Sequence, residues 1–338
     1  MNTNWQGKHG PLLIAEIGGN HEGDFDYAKQ LTQLAIEADV DYIKFQLYTG
    51  NTLVSRIENP IRNKHFKKFE LDQAQYIELA KMCQNAGIGF MASVWNMDYL
   101  DWIDEYMPIY KIGSGDLTAY PVLKTIAKKR KPIIISTGLS SMDDVRGTVE
   151  FLQSLDDLYK NPNYLSILQC TAMYPIPYDD ANLNVMQSFA REFGLAVGYS
   201  DHTEGSKALE ISVAMGAQIL EFHFTDSREG KSFRDHQVSL TRDEVHQLIK
   251  DIKNINRLKG SSDKKPLPIE GDHPTTFRRA VYPLVDIPTG TLISEKHLTT
   301  LRPNHGIDAR DFDKVVGKTT AVDLKAHQKL EWGFFNKT

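Results

Sequence analysis

Short runs of apolar and β-branched residues alternate with amphipathic helical stretches from about residue 12 to residue 257. The helical stretches place apolar residues three or four positions apart, as in Val245, Leu248 and Ile252, so each predicts one buried face. Asp72 and Asn96 stand where helix N-caps are expected. Eight strands are predicted, at residues 12–16, 42–46, 87–92, 109–112, 132–136, 165–170, 195–198 and 218–223.

Eight β-then-α units in about 250 residues predict an α/β fold of the (β/α)8 TIM-barrel type, although an open doubly wound sheet produces a similar string. The polar residues favour the barrel, because a closed barrel directs most strand ends at one common mouth. Nearly every predicted strand ends in a polar residue. These residues are Glu16, Lys44, Gln46, Ser93, Lys111, Ser114, Ser136, Gln169, Ser200, Asp201, His202, Glu221 and His223.

The chain is predicted to contain two domains. The barrel domain spans residues 1–258, and residues 259–276 are rich in proline, glycine and charge, as is typical of a linker. Residues 277–338 predict a small β-rich domain. Two similar phrases in it, beginning at Asp286 and Asp323, indicate internal pseudo-symmetry.

Composition excludes several classes of protein. The formal charge is −5, from 39 Lys and Arg against 44 Asp and Glu, so we expect no nucleic-acid partner. The apolar runs are far shorter than the roughly 20 residues of a membrane helix, so we expect no membrane partner either. The first residues lack the apolar core of a secretory signal. Only Cys83 and Cys170 are present, which predicts a reducing, cytoplasmic location.

His202 and His223 end neighbouring predicted strands and lie next to Asp201 and Glu221. Two imidazoles at one barrel rim predict a divalent-metal site, with the carboxylates as outer partners or further ligands. Open coordination positions suit Mn, Co, Fe, Zn or hydrated Mg. The alternative is two unrelated histidines, each satisfied by hydrogen bonds. Their position at barrel strand ends favours the metal.

Lys44 and Lys111 lie within predicted strands, where an ammonium is costly to bury unless an anion meets it. They predict a phosphate or carboxylate ligand, with Ser114 and Ser136 adding hydroxyl donors. The alternative is that each lysine pairs with an internal acid such as Glu16.

Two further residues are placed near the mouth by the predicted topology. Tyr174 begins a Pro-rich turn after the sixth strand and could stack on a sugar-like ligand, although such turns are often structural. Asp235 adds an acid after the eighth strand. The tryptophans Trp95 and Trp102 are interpreted as packing residues.

Together these segments resemble the N-acetylneuraminate (sialic acid) synthase family, and the matches are in order along nearly the whole chain. The tail, with Arg278-Arg-Ala-Val-Tyr and Leu301-Arg-Pro-Asn-His-Gly, is similar to its C-terminal SAF (antifreeze-like, β-clip-like) domain. The barrel motifs are Glu16-Ile-Gly-Gly-Asn-His-Glu-Gly-Asp, Lys44-Phe-Gln, Tyr110-Lys-Ile-Gly-Ser-Gly-Asp, Ser136-Thr-Gly, Ser200-Asp-His-Thr and Glu221-Phe-His-Phe-Thr.

The resemblance implies a synthase that condenses phosphoenolpyruvate with an open-chain N-acyl-hexosamine, giving a nonulosonic acid and phosphate. The acceptor it implies is N-acetylmannosamine or a deoxy diacetamido relative. Ala172 and Phe222 differ from the residues that are usual at these positions in the family, which leaves the choice of acceptor open. The resemblance also implies a domain-swapped homodimer and a divalent metal, for which we expect Mn²⁺, with Mg²⁺ or Co²⁺ as alternatives.

Residue roles follow from the matched positions. Glu16, Tyr174 and Asp235 match residues near the acceptor aldehyde and its hydroxyls, and Arg302 matches an arginine that reaches across the dimer to the sugar. The predicted roles are catalysis by Glu16, Lys111 and Asp235, metal binding by His202 and His223, and substrate binding by Lys44, Gln46, Ser93, Ser114, Ser136, Tyr174, Ser200 and Arg302.

Three alternatives stay open. Another phosphoenolpyruvate-dependent 3-deoxy-2-ketoaldonate synthase would share the donor chemistry, but it needs a further basic cluster for a phosphorylated aldose. A Schiff-base aldolase would use Lys111 as its nucleophile. A non-catalytic carbohydrate-binding or ice-binding role for the C-terminal domain would leave the polar strand ends unexplained.

Overall fold

The computed structural model describes residues 5–336. The chain divides into two compact units, with the boundary between Gly260 and Ser261. The first unit contains eight parallel strands and a two-residue strand, Gln6–Gly7, which pairs antiparallel with the first of them; the second unit contains a short antiparallel pair.

The strands of the first unit follow one another around a barrel in the order β3-β2-β1-β8-β7-β6-β5-β4, all parallel. This is the circular order of a (β/α)8 barrel and not the order of a doubly wound sheet. Between β3 and β4, no hydrogen-bonded ladder joins the described residues, so the barrel is nearly closed. The strands are β1 (Gly10–Glu16), β2 (Tyr42–Leu47), β3 (Gly89–Val94), β4 (Tyr110–Ile112), β5 (Ile133–Ser136), β6 (Leu165–Cys170), β7 (Ala196–Asp201) and β8 (Ile219–His223).

All eight predicted strands are confirmed, and every bound except the end of β7 lies within two residues of its predicted position. β3 begins at Gly89 and not at residue 87, because Gly87 has a φ of 70° and belongs to the turn that ends the preceding helix. β7 extends to Asp201, three residues beyond its predicted end. Its polar residues continue the ladder with β8, so polarity there marks the barrel mouth and not the end of the strand.

Helices surround the strands. Asp72 caps one of them, since its carboxylate accepts from Gln75 N at 2.9 Å while Gln75 Oε1 accepts from Asp72 N at 2.8 Å. Asn96 caps a short 3-10 turn, so both predicted N-caps are confirmed. The helices are α1 (Phe25–Glu37), α2 (Gly50–Leu53), α3 (Pro60–Lys68), α4 (Gln73–Asn85), α5 (Leu100–Ile103), α6 (Tyr120–Ala127), α7 (Met142–Leu155), α8 (Val185–Phe193), α9 (Lys207–Ala214) and α10 (Arg242–Lys259).

The core of the first unit has two layers that follow from strand alternation. Leu13 and Ala15 pack outward against the helices, whereas Leu12 and Ile14 of the same strand pack in the barrel interior. Glu16 continues the inward-facing set and is buried. The interior is therefore apolar along most of its length and polar at the carboxyl ends of the strands, as predicted.

The second unit has a small apolar core of its own. Its strands β9 (Ala280–Pro283) and β10 (Leu298–Leu301) pair antiparallel. Helices α11 (His273–Thr276) and α12 (Phe312–Val315) are each a single turn. Ile287 and Leu324, at equivalent places in the two similar phrases, exchange backbone hydrogen bonds of 2.8 Å in both directions. The predicted pseudo-symmetry thus has a structural counterpart.

Among residues 5–336, no helix combines the length and the apolar character that crossing a membrane requires. Both cysteines, Cys83 and Cys170, are buried and unbridged. The cytoplasmic location inferred from cysteine usage stays a prediction.

Candidate active site

A cavity of about 680 Å³ lies at the carboxyl ends of the barrel strands. Most of the residues predicted from sequence line it, although they come from six different strands and the loops that follow them. The predicted residues that line this cavity are Glu16, Gln46, Lys111, Ser114, Ser136, Tyr174, Ser200, His202, His223 and Asp235.

Three predicted residues lie elsewhere. Lys44 is buried and contacts two carboxylates that line the cavity. Ser93 is also buried and does not line it. Arg302 belongs to the second unit, where its guanidinium carbon lies 5.8 Å from the centroid of the Phe277 ring. The role of Arg302 at a partner's active site stays a prediction.

The two buried lysines share one carboxylate. Glu221 contacts Lys44 through Oε1 and Lys111 through Oε2, at 3.2 Å in each case. Lys44 also donates to Glu16 Oε2 at 2.6 Å, and Gln46 donates to Glu16 Oε1 at 2.7 Å. The alternative reading of the lysines, pairing with internal acids, is therefore what the structure shows. Glu221 was expected near the imidazoles, but its carboxylate lies on the lysines.

The pKa values of the two carboxylates in this cluster shift in opposite directions. Burial alone would raise the pKa of Glu221, but the ammonium groups of Lys111 and Lys44 outweigh it and hold that pKa below its usual value. Burial raises the pKa of Glu16, and Lys44 only partly opposes it. Glu221 is thus the fixed anion of the cluster, and Glu16 is the carboxylate more readily protonated.

Burial lowers the pKa of Lys111, which touches one carboxylate, whereas two carboxylates raise the pKa of Lys44 against the effect of burial. Lys111 donates to Ser136 Oγ at 2.6 Å. Within residues 5–336 the Ser136 hydroxyl donates to no other group, so its polarised O–H can serve an anion in the cavity. Ser114 Oγ accepts from Gly138 N at 3.0 Å on the same side.

The two histidines lie together, with ring centroids 5.3 Å apart. His202 Nδ1 lies 2.8 Å from the carbonyl oxygen of Thr171, which fixes that nitrogen as the donor and leaves Nε2 as the lone-pair nitrogen. Burial lowers the pKa of His223 to about 3, so its ring is neutral. Neutral imidazole is the form that binds metals.

These residues fit a metal site in which the protein supplies only some of the ligands. Buried His223 Nδ1 has no hydrogen-bond partner in the described chain, and Asp235 Oδ2 lies 3.9 Å from it. Among residues 5–336, no group of three His, Cys, Asp or Glu side chains is already arranged to hold an ion. The structure places the two imidazoles side by side, and water or substrate would have to complete the coordination of a bound ion. The metal itself stays a prediction.

An aromatic ring covers the imidazole pair. The centroid of Tyr174 lies 3.9 Å from that of His202, and its ring meets His223 edge-on at 5.5 Å. The guanidinium carbon of Arg234 lies 3.8 Å from the Tyr174 ring centroid. Tyr174 is therefore part of the cavity wall.

Sequence reasoning missed one wall of the cavity. Helix α3 and the loop after β8 contribute most of this wall. Because the sequence of α3 is largely polar, the helix shows no apolar face from which its position could be inferred. Trp95, interpreted as a packing residue, also lines the cavity; its place just after β3 was the available signal. The missed residues are Tyr48, Arg62, His65, Phe66, Phe69, Phe233 and Arg234.

Comparison with known families defines the class of protein. The NeuB family model matches residues 31–264, and the SAF domain model matches residues 278–335. The chain belongs to the NeuB family. This membership confirms the predicted barrel with a C-terminal SAF domain, and it confirms that the protein is an enzyme, a phosphoenolpyruvate-dependent transferase.

Individual relatives extend over nearly the whole chain. It is 33% identical over 336 residues to N,N'-diacetyllegionaminic acid synthase of Legionella pneumophila, covering 95% of this chain and 93% of the relative. It is 33% identical over 333 residues to human N-acetylneuraminate-9-phosphate synthase, covering 94% and 91%. The names of these relatives state different products, so the similarity leaves the acceptor open.

A solved structure supports the same assignment. The N-acetylneuraminic acid (sialic acid) synthetase of Leptospira borgpetersenii, crystallised with citrate, superposes with a TM-score of 0.71 at 28% identity. The match covers 78% of this chain and 89% of that one.

Proposed function

We propose that the protein joins phosphoenolpyruvate to the open-chain form of an N-acyl-hexosamine and produces a nonulosonic acid and inorganic phosphate. N-acetylmannosamine and its deoxy diacetamido relatives are the acceptors proposed. The observation that supports this proposal is that one cavity brings together two neighbouring imidazoles, the Lys111–Glu221 pair with Lys44 behind it, and the Ser136 hydroxyl. Such a cavity offers separate places for a carbonyl oxygen and for an anionic donor.

The donor is proposed to bind on the side of Lys111, Ser114 and Ser136. Lys111 polarises the Ser136 hydroxyl, which then donates to a phosphate or carboxylate oxygen. Glu221 keeps Lys111 in place, and it is itself held by a hydrogen bond from Ser200. These contacts orient the donor so that its C3 faces the acceptor.

His202 and His223 are proposed to hold a divalent cation, Mn²⁺ before Mg²⁺ or Co²⁺. When bound, such a cation supplies Lewis-acid polarisation of the acceptor aldehyde oxygen. Thr171 fixes the His202 ring by accepting from Nδ1, which keeps Nε2 free for a ligand. Tyr174 shields the pair from one side.

In the proposed reaction, a bond forms between C3 of phosphoenolpyruvate and the aldehyde carbon, and the aldehyde oxygen takes up a proton to become a hydroxyl. Water adds to C2 and gives up a proton, after which the C2–O bond to phosphate breaks, the new C2 hydroxyl passes its proton to the departing phosphate, and C2 becomes a ketone. Glu16 or Asp235 handles one of these protons. The raised pKa of Glu16, caused by burial, favours it, because this carboxyl holds a proton more readily than an exposed one does.

The domain-swapped homodimer is proposed with Arg302 of one subunit serving the other subunit's barrel. Mixed and reassociated Lys111→Ala and Arg302→Ala chains should then regain about one quarter of wild-type activity, because half of the random dimers contain one intact site. Each variant alone should be inactive or nearly so. Mixing without any gain, in dimers shown to exchange subunits, would contradict the swap.

The proposed function is tested with a panel of acceptors. Purified protein with phosphoenolpyruvate and Mn²⁺ should release phosphate and form a 2-keto acid with at least one of N-acetylmannosamine, its 6-phosphate, or a 2,4-diacetamido-trideoxyhexose. Arabinose 5-phosphate and erythrose 4-phosphate are the controls, since they would be used by the alternative class of synthase. Phosphate release with these aldose phosphates alone would contradict the proposal.

A further inference from the structure

The loop after β8 places a cation over the Tyr174 ring. The Arg234 guanidinium carbon lies 3.8 Å from the ring centroid, the distance of a close cation–π contact. The other neighbour of this ring is the His202 imidazole, 3.9 Å away between centroids. The Tyr174 ring is therefore in close contact with both the Arg234 guanidinium and the His202 imidazole at the cavity wall.

The same guanidinium fixes a carboxylate. Arg234 Nε and Nη2 each lie 2.7 Å from Asp235 Oδ1. The second oxygen, Asp235 Oδ2, lies 3.9 Å from His223 Nδ1. The Arg234 guanidinium thus contacts both the Tyr174 ring and the Asp235 carboxylate, the two groups that lie next to the imidazoles.

The surroundings of Arg234 argue against a purely structural role. Its side chain is 58% exposed and lines the cavity, whereas Asp235 is buried. Two other basic residues of this loop lie outside the cavity lining: Lys231 pairs with Asp226 at 3.5 Å, and Arg228 pairs with Glu244. Arg234 is thus the basic residue of this loop that faces the site.

We propose that Arg234 is a positioning residue for the acceptor sugar: it presses Tyr174 against His202 and aims Asp235 at the space beside His223. The inference rests on the proposed function, because it assigns the acceptor to the side of the cavity that these groups line. No hydrogen bond or ion pair of the described residues joins Arg234 to the donor side, which Lys111, Ser114 and Ser136 form.

The test compares Arg234→Gln and Arg234→Lys with Lys231→Gln, which removes a positive charge from the same loop outside the cavity lining. For Arg234→Gln, kcat/KM for the acceptor should fall about 100-fold, because small misplacements of orienting groups have effects of that size. KM for phosphoenolpyruvate should stay within about twofold. Arg234→Lys should restore only part of the loss, since an ammonium lacks the planar fork.

Equal losses for donor and acceptor, or full rescue by lysine, would overturn the inference. A crystal structure of Arg234→Gln supplies a readout independent of turnover. The Tyr174 ring is expected to leave its contact with His202, and an unmoved Tyr174–His202 pair would also overturn the inference. Failure of the wild-type enzyme on every acceptor would refute the proposed function instead, and the structural comparison would still decide the role of Arg234.

Discussion

Replacing Lys111 with methionine should lower kcat/KM for phosphoenolpyruvate by at least about 10²–10³-fold, the usual effect of removing one preorganised charge-stabilising group. The substitution keeps an apolar chain of similar length but removes the donor to Ser136 Oγ and the contact to Glu221. The Ser136 hydroxyl loses its polarising partner, and the anion site loses a positive charge. Phosphate release measured at varied donor concentration checks this result.

The matched control is Lys124→Met, which removes an exposed ammonium from α6 of the same β-α unit and should leave kinetics unchanged. Both variants should unfold cooperatively. Unaltered kcat and donor KM in Lys111→Met would contradict the assignment. Borohydride treatment with substrate should leave no adduct on Lys111; a trapped adduct would favour the Schiff-base aldolase instead.

Replacing His202 or His223 with alanine should weaken Mn²⁺ binding by at least about 100-fold, because losing even an outer partner of a metal ligand costs about 10–100-fold. Calorimetric titration of the purified chain with Mn²⁺ alone measures this without reference to activity. Turnover should be lost in both variants and in wild-type protein treated with a chelator. The chelated wild-type protein should recover its activity when Mn²⁺ is added back.

His246→Ala provides the control for this pair. That histidine lies on α10, where its ring contacts the Glu37 carbonyl at 3.0 Å, and it does not line the cavity. It should bind Mn²⁺ and turn over like the wild type. If His202→Ala or His223→Ala bound Mn²⁺ unchanged, or turned over after chelation, the cation would have no place in the proposed chemistry.

The barrel was predictable because strand alternation is a local property. Lys44 and Gln46 share one face of β2, and the polar residues at successive strand ends had to meet at one rim once the barrel was closed. The missed wall has a different origin. The position of α3 depends on contacts with Phe233, from a loop more than 160 residues later, whose ring centroid lies 6.0 Å from that of His65 and 5.0 Å from that of Phe69.

The sequence predicted which charged residues lie at the barrel mouth but not which of them form ion pairs. Sequence placed Lys44, Lys111 and Glu221 at strand ends, but which carboxylate meets which ammonium depends on side-chain reach across the barrel interior. β2, β4 and β8 carry these three residues and are not mutual neighbours in the sheet. Because Glu221 and His223 are close in sequence, the sequence favoured placing the Glu221 carboxylate near the imidazoles. Both side chains do face the barrel interior, but the Glu221 carboxylate contacts Lys44 and Lys111.

Isotopic labelling of the donor tests the central claim most directly. The enzyme is given an accepted N-acyl-hexosamine, Mn²⁺ and phosphoenolpyruvate carrying ¹⁸O in the bridge between C2 and phosphorus. We expect one phosphate and one 2-keto sugar acid per donor consumed, with the label in the phosphate, because the C2–O bond breaks. Label retained in the organic product, or phosphate released without a new carbon–carbon bond, would contradict the proposed condensation.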